Sequence, residues 1–218
     1  MTGEVSNIKI DDWVVNVREP EGEGRPPVIL MLHGWTGDEN SMWVFASRLP
    51  SDVLLIAPRA PFEIESNQYR GHSWIDHANG AWSWLDEYRS SVTALDALLD
   101  SLSSRFEGDF SKIGLMGFSQ GAAMSYAYTL LHPERISKVA ALAGFVPERC
   151  EEVAAGRPIE GIEVLIAHGS RDEIVPVDRA EEAVKMMQMA GGKVEYCLSD
   201  SGHKLGANCF NALKTFFG

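Results

Sequence analysis

A serine between two glycines is the first candidate for chemistry in this 218-residue chain. Ser119 lies at the centre of "GFSQG" (117–121), a G-x-S-x-G pattern that can present a nucleophile on a sharp strand-to-helix turn. In a chain with 20 glycines, such a pentapeptide should arise by chance about 0.1–0.2 times. The pattern alone therefore does not separate a nucleophile from an ordinary turn serine.

A nucleophilic serine needs a base and an acid elsewhere in the chain. The hydroxyl must lose its proton as it attacks, and an imidazole can accept that proton and return it to the leaving group. A carboxylate on the far ring nitrogen fixes the tautomer and stabilises the imidazolium. His203 in "SGH" is the best candidate base, and Asp172 in "HGSRDEIVP" is the best candidate acid. Glu173 is the rival acid, and Asp178 and Asp200 are weaker ones.

Short apolar runs alternate with helical patterns along the chain, which predicts a mostly parallel sheet with helices on both faces. The runs predict strands at 12–19, 27–33, 52–58, 112–118, 138–145, 163–169 and 193–199. Apolar residues at spacings of three and four predict helices at 86–106, 120–131, 178–190 and 207–217. An irregular, aromatic-rich stretch at 59–84 separates the two halves, and its length predicts a functional loop.

The candidate residues follow the predicted strands directly. Ligands of parallel sheets bind at the carboxyl ends of the strands, and Ser119, Asp172 and His203 each come just after one of those ends. Three independent placements therefore put the candidate residues at the same edge of the predicted sheet. The Gln120 N–H, at the start of a helix, and the Trp35 N–H, after strand 27–33, are the expected oxyanion donors. His33, just before Trp35, is expected to be structural.

The segments "LHGWTGD", "GFSQG", "HGSRDEIVP" and "SGH" resemble the small phospholipase/carboxylesterase family of α/β hydrolases, from about Pro27 to the last helix. The resemblance implies one α/β-hydrolase domain over 1–218 without a large cap domain. It implies Ser119 as nucleophile, Asp172 as acid and His203 as base, with Trp35 and Gln120 supplying the oxyanion hole. Many family members have a leucine where this chain has Trp35, and the loop 62–71 is hard to align with theirs.

The family's chemistry predicts a serine carboxylesterase that hydrolyses short- to medium-chain esters. A thioesterase and a lysophospholipase share the same acyl-enzyme chemistry and remain open alternatives. A non-catalytic binding protein on the same fold is the remote alternative. For the substrate site the sequence suggests Trp35, Trp74 and Trp82, the last two of which could equally be packing residues.

The partner that the resemblance implies is a small-molecule ester or thioester, and the composition argues against other classes of partner. The formal net charge of −12 argues against binding nucleic acid or anionic lipid. No apolar run reaches the length of about 18 residues that would insert stably in a bilayer. No metal-binding or cofactor-binding motif is present, so neither is expected. The sequence leaves open whether the chain forms a homodimer.

Cysteine and methionine patterns give two further expectations. Cys150, Cys197 and Cys209 are odd in number and widely spaced, which predicts three free thiols and a reducing, cytoplasmic setting. No targeting signal is expected, since the first residues lack a basic start and an apolar run. Met186, Met187 and Met189 are expected in the core-facing side of a helix.

Overall fold

A computed structural model describes residues 4–20, 24–76 and 82–218. Ten strands lie in these residues: β1 (Val5–Ile10), β2 (Trp13–Arg18), β3 (Pro27–Leu32), β4 (Leu54–Pro58), β5 (Phe62–Glu65), β6 (Arg70–Ser73), β7 (Asp109–Phe118), β8 (Ile136–Leu142), β9 (Glu163–Gly169) and β10 (Lys193–Ser199). The α-helices are α1 (Arg89–Ser103), α2 (Gln120–Leu131), α3 (Glu151–Ala155), α4 (Val177–Met189) and α5 (Ala207–Phe217). Short 3-10 helices span Ser41–Arg48, Leu85–Tyr88 and Pro133–Arg135.

Eight of the strands form one sheet in the order β1-β2-β4-β3-β7-β8-β9-β10. Within this sheet, β4, β3, β7, β8, β9 and β10 run parallel to their neighbours in that order. The β1–β2 and β2–β4 pairs at one edge are antiparallel. The mostly parallel sheet predicted from the sequence is confirmed. Because β7 lies in the middle of the sheet, the residues that follow it are placed at the centre of the carboxyl edge.

Both faces of the sheet are covered, which explains why its strands are continuously apolar. Leu30 and Leu32 of β3 belong to one buried cluster, which includes Leu95 of α1 and Ala123 of α2. Ile29 and Met31 of the same strand belong to the other, which includes residues of the Ser41–Arg48 helix and of α5. The described residues form no separate cap domain, and no helix among them is long and apolar enough to cross a membrane.

The stretch predicted to be irregular contains regular structure. β5 and β6 form a small antiparallel sheet of their own, and residues 77–81 lie outside the described part of the chain. Gly71 on β6 has φ +147°, and a Cβ there would lie 2.0 Å from the Thr36 carbonyl oxygen. The small sheet therefore packs tightly against the loop that follows β3.

The expectation of three free thiols is wrong for two of them. Cys197 on β10 and Cys209 on α5 form a disulfide, with their Cα atoms 5.6 Å apart, while Cys150 is free and buried. The pair is 12 residues apart in sequence and matches no short cysteine motif, because it is the packing of α5 on β10 that brings the two residues together. The expected reducing, cytoplasmic setting thereby loses its support from cysteine chemistry.

The methionine expectation is right for two residues and wrong for the third. Met187 is fully buried and Met186 is 8% exposed, whereas Met189 at the end of α4 is 47% exposed. The α-helical turn of 100° per residue places Met189 beyond the buried face of α4.

Met187 and Met189 provide a matched pair for testing where the core ends. Met187→Ala should lower the free energy of unfolding by about 3 kcal/mol, because it leaves a cavity among packed side chains. Met189→Ala should change it by less than about 0.5 kcal/mol. Chemical denaturation of both variants measures the difference, and equal losses would contradict the placement of α4.

Candidate active site

All three predicted residues lie at the carboxyl edge of the sheet. Ser119 follows β7, Asp172 lies three residues after β9, and His203 lies four residues after β10. His203 Nδ1 is 2.7 Å from Asp172 Oδ2. The His203 ring packs on the ring of Phe118, with the centroids 5.0 Å apart. The histidine therefore lies between the acid and the residue that precedes the serine.

The backbone at Ser119 is held in a conformation that few residues adopt. Its φ is +54° and its ψ is −117°, outside the allowed regions for an ordinary L-residue. A Cβ on Gly117 would lie 2.1 Å from the Gly121 carbonyl oxygen, and one on Gly121 would lie 2.1 Å from the Leu32 carbonyl oxygen. Only glycines at these positions let α2 approach β7 and β3 closely enough to form the turn.

Asp172 is a buried and fully bonded carboxylate. Its side chain is 0% exposed. Oδ1 accepts the N–H groups of Ile174 and Val175, both at 2.9 Å, and Oδ2 accepts from His203. The rivals differ: Glu173 and Asp178 are exposed, and Asp200 pairs with Arg171 on the surface. Of these acids, Asp172 is the one that bonds His203.

His168 lies behind the acid, a position that sequence reasoning did not assign to it. Its buried Nε2 donates to the Val175 carbonyl at 2.9 Å and lies 3.6 Å from Asp172 Oδ2. Burial lowers the pKa of His168, which favours a neutral ring beside the carboxylate. The charge of Asp172 is thus left to interact with His203.

The loop after β3 lies against Ser119. A Cβ on Gly34 would lie 3.3 Å from the Ser119 Cβ. The next residues are tied to the small β5–β6 sheet, since Thr36 N–H donates to the His72 carbonyl at 3.0 Å and His72 N–H donates to the Gly37 carbonyl at 3.1 Å. Trp35 therefore lies between Gly34, which borders the serine, and Thr36, which is anchored to β6.

Gln120 contributes to the site through both its backbone N–H and its side chain. As the first residue of α2, its N–H has no acceptor within the helix, and it lies at the positive end of the helix dipole next to Ser119. Its side chain accepts the Trp74 N–H at 3.1 Å and donates to Ser73 Oγ at 3.0 Å. The side chain thus ties the end of β6 to the turn that carries the serine.

The three tryptophans suggested for the substrate site lie in three different environments. Trp35 lines a cavity beside the serine. Trp74 is fully buried in the core, where its indole N–H donates to the His33 carbonyl at 2.8 Å, so it supports the loop from below instead of lining the cleft. Trp82 is half-buried and packs edge-on against Phe145, with the Arg179 guanidinium over its ring.

An apolar cavity of about 510 Å³ opens beside Gly34 and Phe118. Trp35 and Phe118 form one side, and residues of the Ser41–Arg48 helix and of α5 close it. Its main apolar lining residues are Trp35, Met42, Phe45, Phe118, Leu205 and Phe210. Sequence reasoning missed Met42, Phe45 and Phe210, since they are distant in sequence and their only local signal is an apolar helix face.

The described residues contain no group of three or more His, Cys, Asp or Glu side chains that could hold a metal ion. The site consists of a hydroxyl, an imidazole, a carboxylate and backbone N–H groups.

His33 holds the loop in its neutral form. Its Nε2 accepts the Ala60 N–H at 2.9 Å, so Nδ1 carries the proton and donates to the Gly34 carbonyl at 2.7 Å. Burial lowers the pKa of His33 from 6.5 to about 4. Protonation of Nε2 would place its N–H against the N–H of Ala60, and two donors facing each other are costly in a buried site.

The depressed pKa makes stability depend on pH. The unfolded chain binds a proton on His33 below about pH 6.5, and the folded chain does so only near pH 4. The stabilisation of the folded chain by neutral His33 is therefore fully present above pH 6.5 and is lost as the pH falls towards 4. Wild type should lose about 2 kcal/mol more unfolding free energy between pH 7 and pH 4.5 than His33→Gln, which cannot titrate. Urea titrations of both proteins measure this, and identical pH dependence would contradict the assignment.

Comparison with known proteins identifies the family of the chain. The phospholipase/carboxylesterase family model matches residues 14–218. Acyl-protein thioesterase 1 of Candida albicans is 26% identical over 193 residues, which cover 79% of this chain and 81% of that protein.

Among solved structures, esterase PE8 superposes with a TM-score of 0.81 at 23% identity, covering 98% of this chain and 97% of that one. A carboxylesterase from Mesorhizobium loti gives a TM-score of 0.80 at 20% identity, covering 96% of this chain and 97% of that one. The match over residues 14–218 shows that the chain belongs to the phospholipase/carboxylesterase family, with the α/β-hydrolase fold and serine-hydrolase chemistry of that family.

Proposed function

We propose that this chain hydrolyses short- to medium-chain carboxylic esters through an acyl-enzyme on Ser119. The observation that carries the proposal is the 2.7 Å hydrogen bond between His203 Nδ1 and Asp172 Oδ2, at the same sheet edge as a serine held at φ +54°. The bond leaves Nε2 of His203 as the nitrogen that can accept a proton. A serine on such a turn has its hydroxyl presented at the top of the sheet.

The reaction has two halves. Nε2 of His203 takes the proton from the Ser119 hydroxyl as its oxygen attacks the acyl carbonyl, and the imidazolium then protonates the leaving alcohol. Asp172 stabilises that imidazolium, helped by two backbone N–H groups that keep its carboxylate in place. Water activated by His203 then attacks the acyl-enzyme and releases the acid.

The oxyanion hole is assigned to the N–H groups of Trp35 and Gln120. A negative charge develops on the carbonyl oxygen at the tetrahedral stage, and pre-positioned donors stabilise it without reorganisation. The first N–H groups of α2 have the favourable dipole for this. Trp35 is held in place by the anchored residues after it and by His33 before it.

The apolar cavity is the proposed acyl site. Its lining is apolar on most sides, and Trp35 belongs to both the proposed oxyanion loop and the cavity wall. A chain bound there would run from Ser119 towards Phe45 and Phe210. The volume of about 510 Å³ is large enough for an acyl chain of modest length.

An acyl-thioesterase is the second candidate, favoured by the curated relative named acyl-protein thioesterase 1. Matched pairs of p-nitrophenyl esters and acyl-thioesters with the same acyl group separate the two. The proposal expects a higher kcat/KM for the ester of each pair, and a consistent preference for the thioester would favour the second candidate.

Replacement of the nucleophile should remove most of the turnover. Ser119→Ala should lower kcat by about 10⁴–10⁶-fold, because the covalent route is lost. Ser170→Ala, an exposed serine near the same edge, is the matched control and should keep wild-type activity. Initial rates with p-nitrophenyl butyrate measure both. Substantial turnover by purified Ser119→Ala would sink the assignment.

The acyl cavity predicts a dependence on chain length. Each methylene that enters the cavity should contribute about 0.8 kcal/mol, or about fourfold in kcat/KM, until the cavity is full. Phe210→Trp should shorten the cavity and move the optimum to shorter chains. Phe216→Trp changes a half-buried residue of the same helix outside the cavity lining and should leave the optimum unchanged. A p-nitrophenyl ester series measures the profiles, and identical optima for wild type and both variants would place the acyl chain elsewhere.

A further inference from the structure

The disulfide encloses the loop that carries the base. Cys197 lies in β10 and Cys209 in the first turn of α5, so the bond between them closes a ring around residues 198–208. His203 lies within this ring. So does Leu205, which lines the apolar cavity.

The strand that bears the loop has support on one side only. Among the described strands, β10 is the last of the sheet and pairs with β9 alone. A loop that leaves an edge strand lacks the second neighbour that would hold the ends of a central strand. On its inner side the loop is held to the loop after β9, where Ser170 N–H donates to the Ser199 carbonyl at 2.8 Å and Arg171 N–H donates to the Ser201 carbonyl at 2.9 Å. On its outer side the position of His203 depends on how firmly β10 and α5 are held to each other.

Hydrogen bonds within the loop stabilise its conformation but do not attach it to α5. Ser201 Oγ bonds to Ser199 Oγ and to the Lys204 carbonyl, both at 2.8 Å, and Gly206 N–H donates to Ser199 Oγ at 3.2 Å. These partners all lie between the two cysteines or at the start of the loop. The disulfide is the covalent link that joins the strand before the loop to the helix after it.

The third cysteine does not compete with this pair. Cys150 is buried, and burial raises its pKa to about 12. The thiolate is the form that attacks a disulfide, so Cys150 is inert near neutral pH. Cys209 is fully buried, whereas Cys197 is half-buried on the edge strand, which makes Cys197 the more accessible of the two cysteines.

We propose that the Cys197–Cys209 disulfide is a positioning element for His203, and that its reduction lowers catalytic turnover reversibly. The inference rests on the proposed role of His203 as the base. Cys197 and Cys209 are positioning residues, since they act through the loop and do not touch the substrate.

The redox step balances with a dithiol as reductant. A thiolate of the dithiol attacks the Cys197 sulfur, the S–S bond breaks, and Cys209 leaves as a thiolate and takes up a proton. The second thiol of the reductant then attacks the mixed disulfide and releases Cys197. Two electrons and two protons pass to the protein, which ends with two thiols, and the reductant ends as its own disulfide.

Loss of the tether should change turnover more than binding. A small displacement of a reacting group can cost up to about 10²-fold in rate, and we expect a fall in kcat of about tenfold from the added freedom of the loop. p-Nitrophenyl acetate is the substrate of choice, because its acyl group is too short to reach far into the cavity beside Leu205. Its KM should change by less than about twofold, since the binding contacts remain.

The experiment compares oxidised, dithiothreitol-reduced and re-oxidised enzyme below the melting temperature of both forms. Alkylation in denaturant without reductant, followed by mass measurement, gives the number of free thiols. Cys197→Ala/Cys209→Ala should behave like the reduced enzyme and should not respond to dithiothreitol. Cys150→Ala is the matched control and should keep the full response.

A reversible fall in kcat, absent in the double variant, supports the proposal. A lower melting temperature with unchanged kcat would show a purely structural disulfide and overturn it, and so would three alkylated cysteines in the untreated protein. If neither form hydrolyses any ester, the proposed function fails by itself. The labelling rate of Ser119 by a fluorophosphonate then decides the positioning role, and equal rates in both redox forms overturn it.

Discussion

β7 passes into α2 through Ser119, whose φ of +54° is held by close packing on both sides and by the bond from its N–H to the Leu142 carbonyl at 2.9 Å. A non-glycine residue in such a region costs about 1–3 kcal/mol, and the packing of α2 against the sheet offsets this. Gly117 and Gly121 make the approach geometrically possible, since a Cβ on either would lie 2.1 Å from a backbone oxygen. The close packing of α2 on β7 and β3 therefore sets the positions of the serine, of the start of α2 and of the loop after β3.

The surrounding core supports the same turn from below. The Gln120 side chain bonds to Ser73 and Trp74, and the Trp74 indole bonds to the carbonyl of His33. His33 in turn bonds to Gly34, whose position borders Ser119. The long segment between β4 and α1 thus contributes buried polar contacts that fix the loop beside Ser119. Trp74 of this segment supports the loop through its bond to the His33 carbonyl and is not part of the cavity lining.

The sheet and the placement of Ser119, Asp172 and His203 could be predicted because they depend on local patterns. Apolar runs mark the strands, and parallel strands bring their carboxyl ends to one edge. The residue after each strand is therefore placed near the others without knowledge of side-chain packing. The acid also follows this rule, and the structure distinguishes it from Glu173 by its bond to His203.

The remaining features depend on contacts between distant elements. Cys197 and Cys209 pair because α5 packs on an edge strand, and no spacing rule reveals this. Phe210 lines the cavity because α5 lies beside the Ser41–Arg48 helix. Trp74 looked as suited to a binding site as to the core, since aromatic residues serve in both. The disulfide, the cavity lining and the burial of Trp74 all follow from tertiary packing.

The covalent intermediate tests the central claim most directly. Wild-type enzyme would be mixed with excess p-nitrophenyl ester, quenched in acid during turnover, digested and analysed by mass spectrometry. The account predicts that the peptide containing Ser119 gains the mass of the acyl group, with fragment ions that place it on the serine oxygen. Rapid turnover with Ser119 unmodified, or with the acyl group on another residue, would contradict it.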